Sequence, residues 1–177
     1  MRTVGSPVAD LVQRMPYPVV NTLLDAMFPP GALNYWKSAF LPELSADVIT
    51  AAAQAFGRAP TDMCLIGFER FSGAVTRVPP TATAYPHREP GHNLLVIAQW
   101  THPGQTDECI AWARATFGAL AASTADRAYV NYLDADDDAR MKQAYGPNFE
   151  RLAKLKRRYD PDNVFHLNQN IRPARGH

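Results

Sequence analysis

Residues 93–100, Asn-Leu-Leu-Val-Ile-Ala-Gln-Trp, form the feature that most constrains this chain. The run is apolar almost throughout, short, and closed by Thr101-His102-Pro103-Gly104. A strand with no polar alternation reads as buried on both faces. Neighbouring strands and helices complete its sheet, and the sheet face that helices leave must meet something: solvent, a ligand or another domain.

The remaining pattern supplies those neighbours. Asn34–Leu41 is aromatic and reads as a strand. Met63–Phe71 alternates, Ser72-Gly73 marks a turn or bulge, and Ala74–Val78 resumes as a strand. Arg127–Asp134 reads as a further strand. Helical spacing covers Tyr17–Met27, which Pro29-Pro30-Gly31 stops. A clearer helix begins at the cap Ser45, with Val48, Ile49, Ala52, Ala55 and Phe56 on its apolar face, and ends at Gly57. Asp107–Ala122 is helical, with Cys109, Ala113, Thr116, Phe117 and Leu120 on one face. Two shorter helices follow, Asp137–Tyr145 and Asn148–Tyr159, the second packing through Phe149, Leu152, Leu155 and Tyr159. Pro79–Gly91 is a loop and Val164–Pro173 an extended tail. The expected architecture is α+β, an antiparallel sheet with helices packed on one face, in a single domain spanning residues 1–177.

Composition narrows the function classes. A formal net charge of +1 offers no field for nucleic acid or an anionic membrane. No apolar run approaches the roughly 20 residues that cross a bilayer. The start, Met1 to Pro7, has no apolar stretch behind its Arg2 and does not read as a secretory signal. Cys64 and Cys109 read as buried free thiols, which suits the cytoplasm. The five histidines (His87, His92, His102, His166, His177) lack ligand spacing, so no metal site is expected. Asp134–Asp138 lacks the glycine and closing glutamate of a calcium loop, because Ala139 and Tyr145 stand there. It reads instead as an acidic helix start. No glycine-rich dinucleotide fingerprint occurs.

Along an extended strand Tyr129 and Asn131 share one face, opposite Val130 and Tyr132. A phenol beside an amide is either an ordinary exposed pair or a polar anchor for a flat, hydrogen-bonding ligand.

The ordered series Tyr129-Val130-Asn131-Tyr132, Tyr145-Gly146-Pro147-Asn148, Tyr159-Asp160-Pro161-Asp162-Asn163-Val164-Phe165 and Asn168-Gln169-Asn170-Ile171 resembles the C-terminal motif of FAD-linked oxidases of the berberine bridge enzyme type. It occupies about residues 127–173. Glu69 to Val78 with Ala84-Tyr85-Pro86-His87-Arg88 resembles the family's Gly-Gly-Ala strand and Pro-His-Arg loop, with Ser72 in place of the first glycine. Asn34-Tyr35-Trp36-Lys37-Ser38 also fits a family strand.

The resemblance implies the substrate-binding part of an FAD-dependent oxidoreductase, without the N-terminal domain that holds most of the flavin. Such an enzyme passes a hydride from a C–H next to oxygen or nitrogen to FAD, and then electrons to oxygen. By that resemblance Tyr129 is the catalytic base, and Asn131, Asn168 and Asn170 contact the cofactor. Tyr35, Lys37, Arg77, His87, Arg88 and Gln99 line the substrate cavity. A tyrosine base works when donors or cations bring it down from its ordinary pKa of about 10; Lys37, Arg70, Arg77 and Arg88 are the candidates. FAD is not expected to be held tightly by this chain alone. The expected partners are a small-molecule substrate and either a separate flavin-binding chain or a second copy docked on the uncovered sheet face. The alternative is a non-catalytic small-molecule or protein-binding module on the same scaffold.

Overall fold

The burial on both faces expected for residues 93–100 is found in the structure, a computed structural model describing residues 12–134 and 138–175. Two compact units divide the chain, Met1–Ala32 and Leu33–His177. In the first, a short helix α1 (Tyr17–Val20) is followed by a 3-10 turn at Asp25–Met27, and neither buries a residue. The continuous helix expected over Tyr17–Met27 is therefore interrupted. The Thr22 hydroxyl donates to the Val19 carbonyl at 3.0 Å, a local bond that competes with helical propagation.

The second unit is built on a three-stranded antiparallel sheet of β1 (Leu33–Leu41), β2 (Leu65–Phe71) and β3 (Gly91–Trp100), with β3 in the centre. Leu94, Val96, Ala98 and Trp100 enter the main core with Tyr35 and Leu41 of β1. Helices α2 (Ala46–Phe56) and α3 (Thr106–Leu120) cover that face, contributing Val48 and Ala52, then Cys109, Trp112, Ala113 and Leu120. The α+β architecture with helices on one face holds. Full burial of each such aliphatic side chain contributes about 1.5–3 kcal/mol. The Ser45 Oγ accepts from the Val48 N–H at 3.3 Å and caps α2 as expected. The Trp112 indole donates to the Ala55 carbonyl at 3.0 Å and ties α3 to the end of α2. Both thiols are free and buried in this core.

The opposite face of β3 is buried too: Asn93, Leu95, Ile97 and Gln99 are all nearly inaccessible. Across from them stand Phe40, Ser38, Trp36 and Asn34 of β1, in register. Here the 3-10 turn Val130–Tyr132, helix α4 (Met141–Tyr145) and the loop before β3 approach the sheet. Trp36 stacks on Tyr132, and Phe40 packs against Phe71 and His87. Ala128, Leu133, Met141 and Ala144 form a second, smaller core.

Two expected strands are turns instead. Residues 74–77 belong to a 3-10 helix, Gly73–Arg77. Gly73 has φ 72°, which turns the chain, and the Thr76 hydroxyl bonds back to the Gly73 carbonyl at 3.0 Å. Residues 127–134 follow an isolated bridge, Phe40 to Ala125, and then curl. The Tyr132 N–H reaches the Tyr129 carbonyl at 3.0 Å and the Leu133 N–H the Val130 carbonyl at 3.3 Å. Once the turn satisfies its own backbone groups, no ladder partner is needed, and ring packing overrides strand propensity.

Helix α5 (Phe149–Tyr159) matches its expected span, but its burial does not match the expected face: Ala153 is the buried residue, while Leu155 and Tyr159 are exposed. The start of the expected helix at Asp137 and the middle of the acidic run lie outside the described residues. The described part begins as a 3-10 turn, Asp138–Arg140, and continues into α4.

Candidate functional site

Between the sheet and the 128–145 segment lies an open cavity of about 640 Å3. Glu69 and Phe71 of β2 form one wall, Val75, Ala84, Tyr85 and Pro86 a second, and Tyr129 to Tyr132 with Ala144 and Tyr145 a third. The turn, rather than strand alternation, brings Tyr129 and Asn131 to the same opening, and it brings Val130 and Tyr132 there as well.

The rings organise one another. Tyr129 meets Tyr132 edge-on at 5.0 Å between centroids and Tyr85 at 5.7 Å. The Asn131 amide donates to the Tyr129 phenol oxygen at 2.9 Å. Tyr132 donates its hydroxyl to Glu69 Oε1 at 3.0 Å, and the Asn93 amide donates to Glu69 Oε2 at 2.9 Å. Burial, together with the charge and hydrogen bond of Glu69, pushes the Tyr132 hydroxyl up to about 12. Burial, then the neighbouring Tyr129, also raises Tyr85 well above the ordinary phenol value. Both are therefore neutral donors at physiological pH. Tyr129 differs from them in that its oxygen accepts the Asn131 amide proton.

The other expected cavity residues are dispersed. Tyr35 and Lys37 pair with Ala98 and Val96, which turns them to the helix-covered side of the sheet. There Arg114 donates to the Tyr35 hydroxyl at 2.9 Å. Gln99 lies at the far end of β3 from Asn93 and Glu69 and donates to Asn34 at 3.0 Å. Arg77 is exposed at the end of its 3-10 turn and does not line the opening. Arg88 is behind the wall: it donates to the Val75 carbonyl at 3.3 Å and to Thr83 Oγ1 at 2.7 Å, and lies over the Tyr85 ring at 4.8 Å. His87 is buried, with Nε2 3.0 Å from the Ala144 carbonyl. Burial lowers its pKa, and its contacts make it a packing residue that joins the loop to α4. Arg70 reaches His92 at 3.3 Å, so the donor seen on Tyr129 is Asn131 rather than any of the four cations considered.

Asn168 and Asn170 line a different cavity, of about 810 Å3, with Asn163, His166, Lys142 and Arg172. Asn163 and Asn168 adopt φ of 53° and 57°, a left-handed conformation that asparagine tolerates. Glu69, Phe71, Tyr85, Tyr132 and Tyr145 were not singled out as site residues by the sequence. Glu69 carried a usable signal: it is a carboxylate two positions before Phe71 on a strand, so both share a face.

Residues 128–172 match the family model described as "Berberine and berberine like". The FAD-linked oxidoreductase YgaK of Bacillus subtilis is 29% identical over 176 residues, which covers 97% of this chain and 38% of YgaK. The aclacinomycin-N/aclacinomycin-A oxidase of Streptomyces galilaeus is 29% identical over 197 residues, covering 96% of this chain and 35% of the oxidase. Nearly the whole chain is therefore similar to a part of FAD-linked oxidoreductases, and its residues 128–172 to the berberine-like family. Among solved structures, a glycopeptide hexose oxidase complexed with teicoplanin superposes with a TM-score of 0.71 at 28% identity, over 81% of this chain and 33% of that one. Berberine bridge enzyme from Eschscholzia californica superposes with a TM-score of 0.75 over 82% of this chain and 34% of that one; at 19% identity it supports the fold. The chain spans little more than a third of the length of these berberine-bridge-type relatives.

Proposed function

We propose that this chain supplies the substrate-facing wall of an FAD-dependent oxidoreductase that removes a hydride from a C–H next to oxygen or nitrogen. The observation that carries this reading is the joint placement of Tyr129 and Asn131 at the mouth of an aromatic cavity, inside the segment that matches the berberine family model.

FAD, when bound, supplies the hydride acceptor. The open cavity edge fits a flat ring: apolar rings line it, and Asn131 stands exposed with an amide for a polar rim. Asn131 holds the Tyr129 phenol in position, and Tyr129 takes the proton from the substrate group beside the reacting C–H. Tyr132 remains protonated and holds Glu69 through its hydroxyl, while the Tyr85 ring forms part of the apolar wall. Asn168 and Asn170, in the separate cavity, serve the contact with the flavin-binding portion. That portion is supplied by further polypeptide, and self-association is the competing use of the same surfaces. The cytoplasmic location expected from the two free thiols is part of this proposal.

The test is complementation. The chain is co-expressed with the flavin-binding portion of a relative such as YgaK, and flavin reduction is followed spectroscopically across a panel of alcohols, sugars and amines. Substrate-dependent bleaching is expected, and Tyr129→Phe lowers its rate by about 10²–10⁴-fold with the complex intact. An unchanged rate in that variant removes Tyr129 from the base role. An intact, flavin-loaded complex that oxidises none of the panel favours the non-catalytic module.

A further inference from the structure

We infer that the cavity between β2 and the Val130–Tyr132 turn selects a flat, positively charged molecule, an aryl-alkyl ammonium, with Glu69 as its counter-ion. This rests on the reading that the cavity holds the substrate, and it names that substrate's chemical class.

The charge inventory carries the argument. Glu69 is the only charged side chain lining the cavity among the described residues. Its two recorded contacts, the Tyr132 hydroxyl and the Asn93 amide, are both uncharged, so neither cancels the carboxylate. A carboxylate offers about four acceptor positions, and these contacts use one on each oxygen. Glu69 is exposed, which leaves the others open to a ligand.

The nearby cations are committed elsewhere. Arg88 is hydrogen-bonded to Val75 and Thr83, Arg127 is paired with Glu89 at 2.6 Å, and Arg70 is directed to His92. The remaining wall reinforces the selection. Phe71, Tyr85, Tyr129, Tyr132 and Tyr145 present ring faces and edges. Ring faces attract cations and stack on flat apolar bodies. An anionic ligand meets an uncompensated carboxylate with no cation lining the wall to offset it.

Three probes of one shape separate the possibilities: benzylamine, benzyl alcohol and benzoate, titrated at neutral pH into the full chain with tyrosine fluorescence as the readout. Benzylamine is expected to bind about tenfold more tightly than benzyl alcohol, and benzoate most weakly, as for a single partly exposed charge contact. Raising salt weakens benzylamine and leaves benzyl alcohol unchanged. Glu69→Gln removes the preference and keeps benzyl alcohol affinity within about twofold. Glu69→Asp, which restores a carboxylate at the same position, keeps a preference for benzylamine, so a general loss of folding is distinguishable from loss of charge. Equal affinities for the three probes, a preference that survives Glu69→Gln, or no binding of any probe each overturn the inference. None of these measurements uses flavin. Failed complementation with the cation preference intact therefore overturns the flavoenzyme reading alone, and oxidation without the preference overturns the charge assignment alone.

Discussion

Gly91 shows how closely one backbone position is constrained. A Cβ built there would stand 2.7 Å from the Leu41 carbonyl oxygen, at the point where β3 enters the sheet beside the end of β1. Gly91→Ala forces those strands apart and is expected to cost about 1–3 kcal/mol, read as a lowered thermal midpoint. His87 makes a pH-dependent contribution at the same scale. Its folded pKa is depressed below 6.5 by burial, so the unfolded chain binds the proton more readily. The stability it contributes is complete above 6.5 and is lost as pH falls through the window down to the depressed value. His87→Gln should flatten that acid limb in denaturant titrations, and a limb of unchanged slope would assign it to other groups. Tyr85 and Tyr132 titrate far above neutrality and do not contribute to this limb.

Among the elements, the segment after α5 has its own clamp. Asp160 accepts the Val164 N–H at 2.8 Å and the Phe165 N–H at 3.0 Å, while Lys156 donates to Asp160 and to the Phe165 carbonyl. The clamp turns the chain outward directly after Asp160-Pro161. The Lys156 hydrogen bond, followed by the backbone N–H groups of Val164 and Phe165, holds the Asp160 carboxyl below its usual 3.8. Its contribution is therefore present above that value and is lost as pH falls through the folded pKa. Asp160→Asn keeps the shape and weakens the charge-assisted bonds. Faster amide exchange at Val164 and Phe165, with α2 and α3 unaffected, is the expected result. Global loss of protection would show instead that the clamp is part of the main cooperative unit.

For the whole molecule, the clamp displays apolar surface. Val164, Phe165 and Leu167 are 66%, 81% and 83% exposed, and Leu155 and Tyr159 of α5 are exposed nearby in sequence. Under the proposed function the cover of this surface is the flavin-binding portion of the enzyme. Phe165→Glu is expected to leave the thermal midpoint of the chain unchanged and to reduce complementation by co-expressed flavin domain. A lowered midpoint would place Phe165 within the chain's own packing. The chain alone is expected to lose added FAD on desalting, and the complemented pair to retain it, as absorbance in the flavin bands reports.

The order of apolar and polar residues was enough to read β3 as buried on both faces, to set the cap of α2 and the buried side of α3, and to mark Tyr129 and Asn131 as neighbours; on α2 it found Val48, Ala52 and Ala55 but also named Ile49 and Phe56, which are exposed. Each of these depends on local periodicity, capping or a short motif, which any stretch of chain carries in itself. The site needed more. Whether Ala74–Val78 and Arg127–Asp134 extend or curl goes with contacts from outside them, such as Arg88 on the Val75 carbonyl and the Tyr85 ring on Tyr129. Strand alternation could not tell which side of the sheet would carry helices, and the resemblance placed Tyr35 and Lys37 at a cavity from which the pleat turns them away. Glu69 became a site residue only when the curl of residues 130–132 brought a phenol to its carboxylate. Side-chain periodicity is local, but the meeting of groups from β2, the loop before β3 and the 129–132 turn is a property of the packed molecule.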